Sequence, residues 1–149
     1  MKRFFIPSAA IVTLMVLTAA IQAEPHRRHE CVEAKILRSP RSVQQGKRFR
    51  VRVGIKNCSH SPTDLLTRYP VRLYLVSGGR RIPVGRTHVG VAPGERVRRN
   101  IRAHVPRNVR PGDYRLQVVV KAPNGFIDTD SAPIRVVRDE LAELATPRS

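Results

Sequence analysis

The stretch from Lys47 to Asn57, KRFRVRVGIKN, alternates basic and apolar residues almost perfectly. Its apolar residues recur at every second position, whereas those of an amphipathic helix would recur three and four positions apart. Successive side chains of a β-strand point to opposite faces of the sheet, so the apolar set belongs to a core and the basic set to the opposite face. The stretch therefore predicts a half-buried strand with one arginine-rich side.

The same period-two pattern, interrupted by Gly, Pro, Asn and Ser, recurs along the chain and predicts seven strands. The segment SVQQGKR is predicted to be a turn, and Pro83 places its short strand at a sheet edge because proline cannot donate to a ladder. Seven short strands without a long helical segment predict an all-β fold, a single antiparallel sandwich of two face-to-face sheets. The predicted strands cover residues 32–38, 47–57, 70–77, 82–84 (with a further piece at 86–91), 95–105, 113–121 and a last segment ending near 137.

The first residues of this 149-residue chain have the pattern of a secretory signal. Lys2 and Arg3 precede an apolar run over residues 4–20, and small or apolar residues at 21–23 offer a cleavage site. An uncleaved anchor helix is the alternative, since the run approaches the ~20 residues that span a bilayer. The predicted organisation is a signal peptide over 1–23, a polar segment over 24–31, the sandwich domain over 32–137 and a flexible or short helical tail over 138–149.

Four stretches share a pattern with a known kind of domain: RFRVRVGIKN, PVRLYLVSGG, VAPGE and VRPGDYRLQVVV. They resemble the immunoglobulin-like and fibronectin-III-like sandwiches of exported bacterial proteins, most closely the CARDB type, over residues 32–137. The resemblance implies a binding or adhesion-type module, although a fold by itself does not carry a function. The matching positions are Asn57, Tyr74, Pro93, Gly94, Glu95, Pro111, Gly112 and Tyr114.

Cys31 and Cys58 are the two cysteines of the chain. An even count in an exported protein predicts a disulfide. If the first two predicted strands pair antiparallel, the start of one meets the end of the other, and the cysteines meet there. Tyr114 follows a Pro-Gly turn at the start of a strand, which is the setting of a tyrosine corner whose hydroxyl bonds the upstream backbone.

Motifs for catalysis are absent from the sequence, which contains no GxSxG turn, no HExxH pair and no glycine-rich phosphate loop. We therefore expect a non-enzymatic protein without a cofactor. His26, His29 and Cys31 offer at most an adventitious copper or zinc site. Asp128 and Asp130 could contribute to a calcium site, but two carboxylates do not supply the six to eight oxygens that calcium takes, so backbone and water would have to supply the rest. A nucleic-acid role is not expected either, since few aromatic side chains are placed to stack on bases.

The net charge is +17, from 28 basic and 11 acidic residues, and predicts attraction to anionic surfaces or polymers. In a sandwich of this class the strands at 32–38, 47–57 and 95–105 commonly share a sheet. Its outer face would carry Lys35, His104 and a single acid, Glu33. Arginine richness of purely compositional origin remains the alternative. The predicted anion-binding face consists of Arg48, Arg50, Arg52, Lys56, Arg96, Arg98 and Arg102.

The other sheet is expected to present Tyr74, Val76 and Val119 outward as a partner face, since clustered exposed apolar residues mark interfaces. The leading hypothesis is an exported binding or adhesion-type module for an anionic envelope component, such as lipopolysaccharide, or for an envelope protein. A structural or accessory subunit of a cell-envelope complex is the second hypothesis, and a periplasmic metal-binding protein is the third. The expected location is periplasmic or extracellular, without a stable membrane span after cleavage.

Overall fold

The computed structural model of the chain describes residues 31–59 and 66–139. The predicted signal peptide, the polar segment up to Glu30 with its two histidines, and the tail from Glu140 onward lie outside these residues. Within them, no helix has the length and apolar character needed to cross a membrane.

Eight β-strands form two sheets in the described residues, which confirms the all-β class and corrects the predicted number of seven. All strand pairs are antiparallel except the parallel pair of the second and last strands. In chain order the strands are β1 (Val32–Arg38), β2 (Ser42–Gln44), β3 (Arg48–Asn57), β4 (Thr67–Ser77), β5 (Arg80–Val91), β6 (Arg96–His104), β7 (Gly112–Lys121) and β8 (Ile127–Val137). One sheet has the order β1-β3-β6, and the other has the order β2-β8-β7-β4-β5.

Two local features account for the differences from the predicted strands. Strand β2 lies in the segment predicted to be a turn, and three residues are too few to show a period. Strand β5 is continuous where two short pieces were predicted. It absorbs one extra residue at a register shift, where Leu73 lies opposite Gly85 and Tyr74 opposite Pro83. The predicted edge position of Pro83 is confirmed, because β5 is the last strand of its sheet.

The inner faces of the two sheets share one apolar core. The inward side of β3 provides Val51, Val53 and Ile55, which are completely buried, while Phe49 packs on the core from a half-buried position. Complete burial of a side chain of this size contributes about 1.5–3 kcal/mol to stability. The facing strands β4 and β7 supply Val71, Leu73, Leu75, Leu116, Val118 and Val120, all of them completely buried. The alternation in the sequence therefore assigns the basic side chains of β3 to the outside.

The predicted disulfide is confirmed, since Cys31 and Cys58 are bonded and their Cα atoms lie 5.0 Å apart. They directly flank the pair Val32–Asn57 that ends the β1–β3 ladder. The backbone N–H of Cys58 also donates to the carbonyl of Cys31. A disulfide is typical of oxidising compartments and suggests an exported location. Because the Cys31 sulfur is part of this bond, it is not available as a thiolate ligand for the copper or zinc site considered from the sequence.

The free edge of β1 is covered by two carboxylates from β8. The backbone N–H of Ala34 donates to Asp128 Oδ2, and that of Ile36 donates to Asp130 Oδ2, both at 2.7 Å. Both aspartates occupy inward-facing positions of β8, opposite the buried Val118 and Val120. The two carboxylates therefore join the sheets at this edge. The described residues contain no group of three or more His, Cys, Asp or Glu placed to hold a metal ion.

Candidate anion-binding face

All seven residues of the predicted anion-binding face lie on the outward side of the β1-β3-β6 sheet. The β3–β6 register sets Arg48 opposite His104, Arg50 opposite Arg102 and Lys56 opposite Arg96. The smaller neighbours Asn100 and Gly54 lie opposite Arg52 and Arg98. Lys56 is half-buried and the six arginines are exposed. The sheet therefore brings together the basic sets of two strands that are about 40 residues apart in sequence.

One end of this face is neutralised by Glu33 of β1. Glu33 lies opposite Lys56 in the β1–β3 ladder. Its carboxylate oxygens lie 3.9 Å from Lys56 Nζ and 3.3 Å from an Arg96 guanidinium nitrogen. Exposed ion pairs of this kind add about 0–1 kcal/mol to stability, but they reduce the local positive charge. Lys56 and Arg96 are therefore less available to an external anion than the rest of the face.

The other end of the face has no such compensation. Among the described residues, the ion pairs on this face are those of Lys56 and Arg96 with Glu33. Like charges directly opposite each other on neighbouring strands are destabilising, by up to about 1 kcal/mol for a pair. The uncompensated set, which we call the arginine end, is Arg48, Arg50, Arg52, Arg98 and Arg102.

Arg38 lies beside the arginine end, although the sequence interpretation did not place it on this face. A register shift in β1 between Ile36 and Arg38 brings Arg38 opposite Arg52. The bulged residue between them, Leu37, covers Gly54, whose missing side chain leaves room on the outer face. Bulges commonly redirect a side chain in this way. The adjacent apolar residues Ile36 and Leu37 break the alternation and were the available signal for this bulge.

A shallow depression of about 490 Å³ opens beside Arg38. The last residue of β1, Arg38, lines this depression, and Pro40, two residues later, lines it as well. Apart from this proline, every lining residue has a side chain that can donate hydrogen bonds. The lining residues are Arg38, Ser39, Pro40, Arg50, Arg52 and Asn100.

The predicted partner face lies on the outer side of β4 and β7, and its members are half-buried. Tyr74 lies opposite Gln117, and the Arg81 guanidinium carbon is 5.9 Å from the centroid of the Tyr74 ring. Val76 lies opposite Arg115 and Val119 opposite Arg72. The apolar side chains therefore alternate with polar ones across the two strands.

The most exposed large apolar residues of the described chain lie outside this face, at Leu37, Leu66, Phe126 and Ile127.

Comparisons with known proteins bear on the fold alone. No protein-family model and no curated protein sequence matches the chain. A β-glucosidase from Listeria innocua is similar in structure, with a TM-score of 0.50 and 18% identity over 72% of this chain. The chain spans 16% of that glucosidase. At this identity the likeness concerns only the fold.

Two further structures are more remote and support no conclusion. A superoxide reductase (neelaredoxin) from Ignicoccus hospitalis has a TM-score of 0.46 and 19% identity, over 73% of this chain and 83% of its own. The sporulation control protein Spo0M from Bacillus subtilis has a TM-score of 0.45 and 11% identity, over 70% of this chain and 49% of its own.

Proposed function

We propose that the protein is an exported, non-enzymatic binding module whose arginine end attracts an anionic component of the cell envelope. The observation that carries the proposal is the pairing of Arg50 with Arg102 across β3 and β6, where no acid of the described residues forms an ion pair with either arginine. A pair of this kind costs folding energy. A bound anion would remove that cost, so the arrangement favours an anionic partner.

The proposal includes an immunoglobulin-like or fibronectin-III-like sandwich of the CARDB kind. It is supported by two sheets that share one core and by the tyrosine at the start of β7. The Tyr114 hydroxyl donates to the Arg110 carbonyl at 2.8 Å, which is the contact of a tyrosine corner. Gly94, in the VAPGE stretch, has a φ of 74°, which suits the tight turn expected there.

The proposed place of action is the periplasm or the cell exterior. The disulfide and the secretory pattern of residues 1–23 both support it. Anionic polymers are available in these places, and lipopolysaccharide is one of them. We propose a polymer rather than a single small anion because the arginine end extends from Arg48 to Arg98 over two strands.

A binding experiment with two matched double variants tests the proposal. Arg50→Glu/Arg102→Glu reverses the pair in the arginine end. Arg72→Glu/Arg86→Glu reverses another pair of directly opposed, exposed arginines, on the outer face of the second sheet. Both variants change the net charge equally. At about 0.1–0.15 M salt we expect the first to weaken binding to immobilised lipopolysaccharide at least about tenfold and the second much less, because exposed charges then act within a Debye length of about 8–10 Å.

The same binding experiment is repeated at increasing salt concentration. Binding of the unmodified protein should weaken steadily as salt is raised, since screening acts on exposed charges. An equal loss in the two double variants would mean that only the total charge matters. Affinity that does not change with salt would mean that the contact is not electrostatic. Either result would refute the proposal.

A structural or accessory subunit of an envelope complex is a second candidate. Phe126 and Ile127, at the turn between β7 and β8, expose 48% and 53% of their surface. Neighbouring exposed apolar residues can mark a protein interface. If this candidate is correct, Phe126→Ser should abolish co-purification with envelope proteins, whereas Arg50→Glu/Arg102→Glu should retain it.

A further inference from the structure

We propose that the depression beside Arg38 binds a tetrahedral oxyanion, a phosphate or sulfate ester, carried by the anionic partner. This inference rests on the proposed function, because it names the chemical group that the arginine end recognises. It adds Arg38, Ser39 and Asn100 to that site. The three residues come from the end of β1, the segment that follows it, and β6.

The bulge in β1 is what creates the site. Without it, Arg38 would continue the alternation of β1 and would not lie opposite Arg52. With it, Arg38, Arg52 and Asn100 form one row across the three strands. Neighbouring strands are about 4.8 Å apart and alternate residues of one strand about 6.7 Å apart. Arg38, Arg50 and Arg52 therefore start close enough for their long side chains to converge on a single small anion.

The donors favour a group with three acceptor oxygens over one with two. Each guanidinium offers a planar fork that binds two oxygens at once. Three such forks, with the Ser39 hydroxyl and the Asn100 amide, offer more donors than the two oxygens of a carboxylate can accept. A phosphate ester presents three strong acceptor oxygens, and a sulfate ester presents three terminal oxygens as well. None of the described residues that line the depression is acidic, so the lining itself does not compensate these donors.

The depression also has a size that suits such a ligand. Its volume of about 490 Å³ exceeds what one oxyanion needs. The remaining space is open to solvent and accommodates the sugar or lipid headgroup that carries the anion. The Arg–Glu pair at the far end of the face lies outside the lining, so Glu33 does not compete for the three arginines.

Two pairs of sugar acids test this assignment at matched charge. Glucose 6-sulfate is compared with glucuronate, both singly charged, and glucose 6-phosphate with glucarate, both doubly charged near neutral pH. Each probe is titrated into the protein, produced from the complete chain, while the backbone amide signals of Arg38, Ser39 and Asn100 are followed by NMR. We expect an ester to bind at least about fivefold tighter than its matched carboxylate. The two esters distinguish a sulfate from a phosphate source, and a preference for either supports the site.

The variants Arg38→Gln and Arg72→Gln complete the experiment. Both remove one exposed arginine, but Arg72 lies on the other sheet. Arg38→Gln should abolish the preference for the ester, and Arg72→Gln should keep it. Equal affinities within both probe pairs, or a preference that survives Arg38→Gln, would overturn the oxyanion site. Lipopolysaccharide binding that is still lost in Arg50→Glu/Arg102→Glu would then show that the proposed function stands without it.

Discussion

Arg50 on β3 lies directly opposite Arg102 on β6, and both side chains are exposed on the outer face of their sheet. Arg50→Glu would replace two like charges with an opposite-charge pair. Cross-strand pairs of this kind differ by up to about 1 kcal/mol. We therefore expect Arg50→Glu to raise the free energy of unfolding, by an amount within that range, while weakening the binding of anions.

Urea unfolding at low and high salt measures this effect. Arg50→Gln is the control, because it removes the repulsion without adding an attraction, and its stability should lie between those of the other two proteins. The gain should shrink at about 1 M salt, where the Debye length falls to about 3 Å. If Arg50→Glu is less stable than Arg50→Gln at low salt, the two side chains do not interact as the register indicates.

The arginine-rich face could be predicted because alternate residues of a strand lie on opposite faces of the sheet. Once the apolar residues of a strand pack in the core, the arginines between them must lie on the outer face. The disulfide followed in the same way, since strand ends that meet bring Cys31 and Cys58 together. Arg38 was not predictable from the alternation, because one extra residue in β1 reversed its side. From the sequence, Asp128 and Asp130 were considered only as calcium ligands. Their partners are backbone groups of a strand 94 residues earlier, and that contact depends on how the two sheets pack.

The edge of β1 provides the second prediction. Asp128→Ala removes the acceptor of the Ala34 N–H, and we expect a loss of about 1–2 kcal/mol in the free energy of unfolding. Amide hydrogen exchange should accelerate at Ala34. Asp128→Asn retains an oxygen acceptor and should cost less.

Thr129→Ala is the matched control for the edge. Thr129 is the exposed neighbour of Asp128 on the same strand, so its loss should change stability by less than about 0.5 kcal/mol. The exchange rate at Ala34 should also stay unchanged. Unaltered protection of Ala34 in Asp128→Ala would show that the carboxylate does not hold the edge.

Asn57 provides the third prediction, because its buried side chain connects three segments at the disulfide end. Its amide nitrogen donates to the Val91 carbonyl at 3.2 Å. Its amide oxygen accepts from the backbone N–H and the hydroxyl of Ser59, at 3.1 and 2.6 Å. Asn57 is completely buried, so Asn57→Ala leaves several of these groups without a partner. Each unsatisfied buried group costs about 1–3 kcal/mol.

We therefore expect Asn57→Ala to lower the free energy of unfolding by at least about 2 kcal/mol, measured by urea or thermal denaturation with the disulfide intact. Asn100→Ala, at an exposed position of β6, should cost less than about 0.5 kcal/mol. Equal losses in the two variants would mean that water or rearranged backbone replaces the Asn57 hydrogen bonds.

The pair of Asp113 and Arg135 provides the fourth prediction, a dependence on pH. The Arg135 guanidinium donates to both carboxylate oxygens of Asp113, at 2.7 and 3.2 Å. These hydrogen bonds, and then the charge of Arg135, hold the pKa of Asp113 below its ordinary value. A carboxyl whose pKa is lower in the folded state stabilises the protein above the pKa of the unfolded state, about 3.9. That contribution is lost as the pH falls through the folded value.

Asp113→Asn should therefore be slightly less stable than the unmodified protein at neutral pH, and the difference should narrow in acid, as the pH falls through the folded pKa and the carboxyl becomes protonated in both states. The effect is small because both side chains are exposed and solvent screens them. Urea midpoints of the two proteins at neutral and acidic pH provide the measurement. A difference that persists undiminished in acid would contradict the prediction, since it would then arise from packing or backbone geometry and not from the ionised pair.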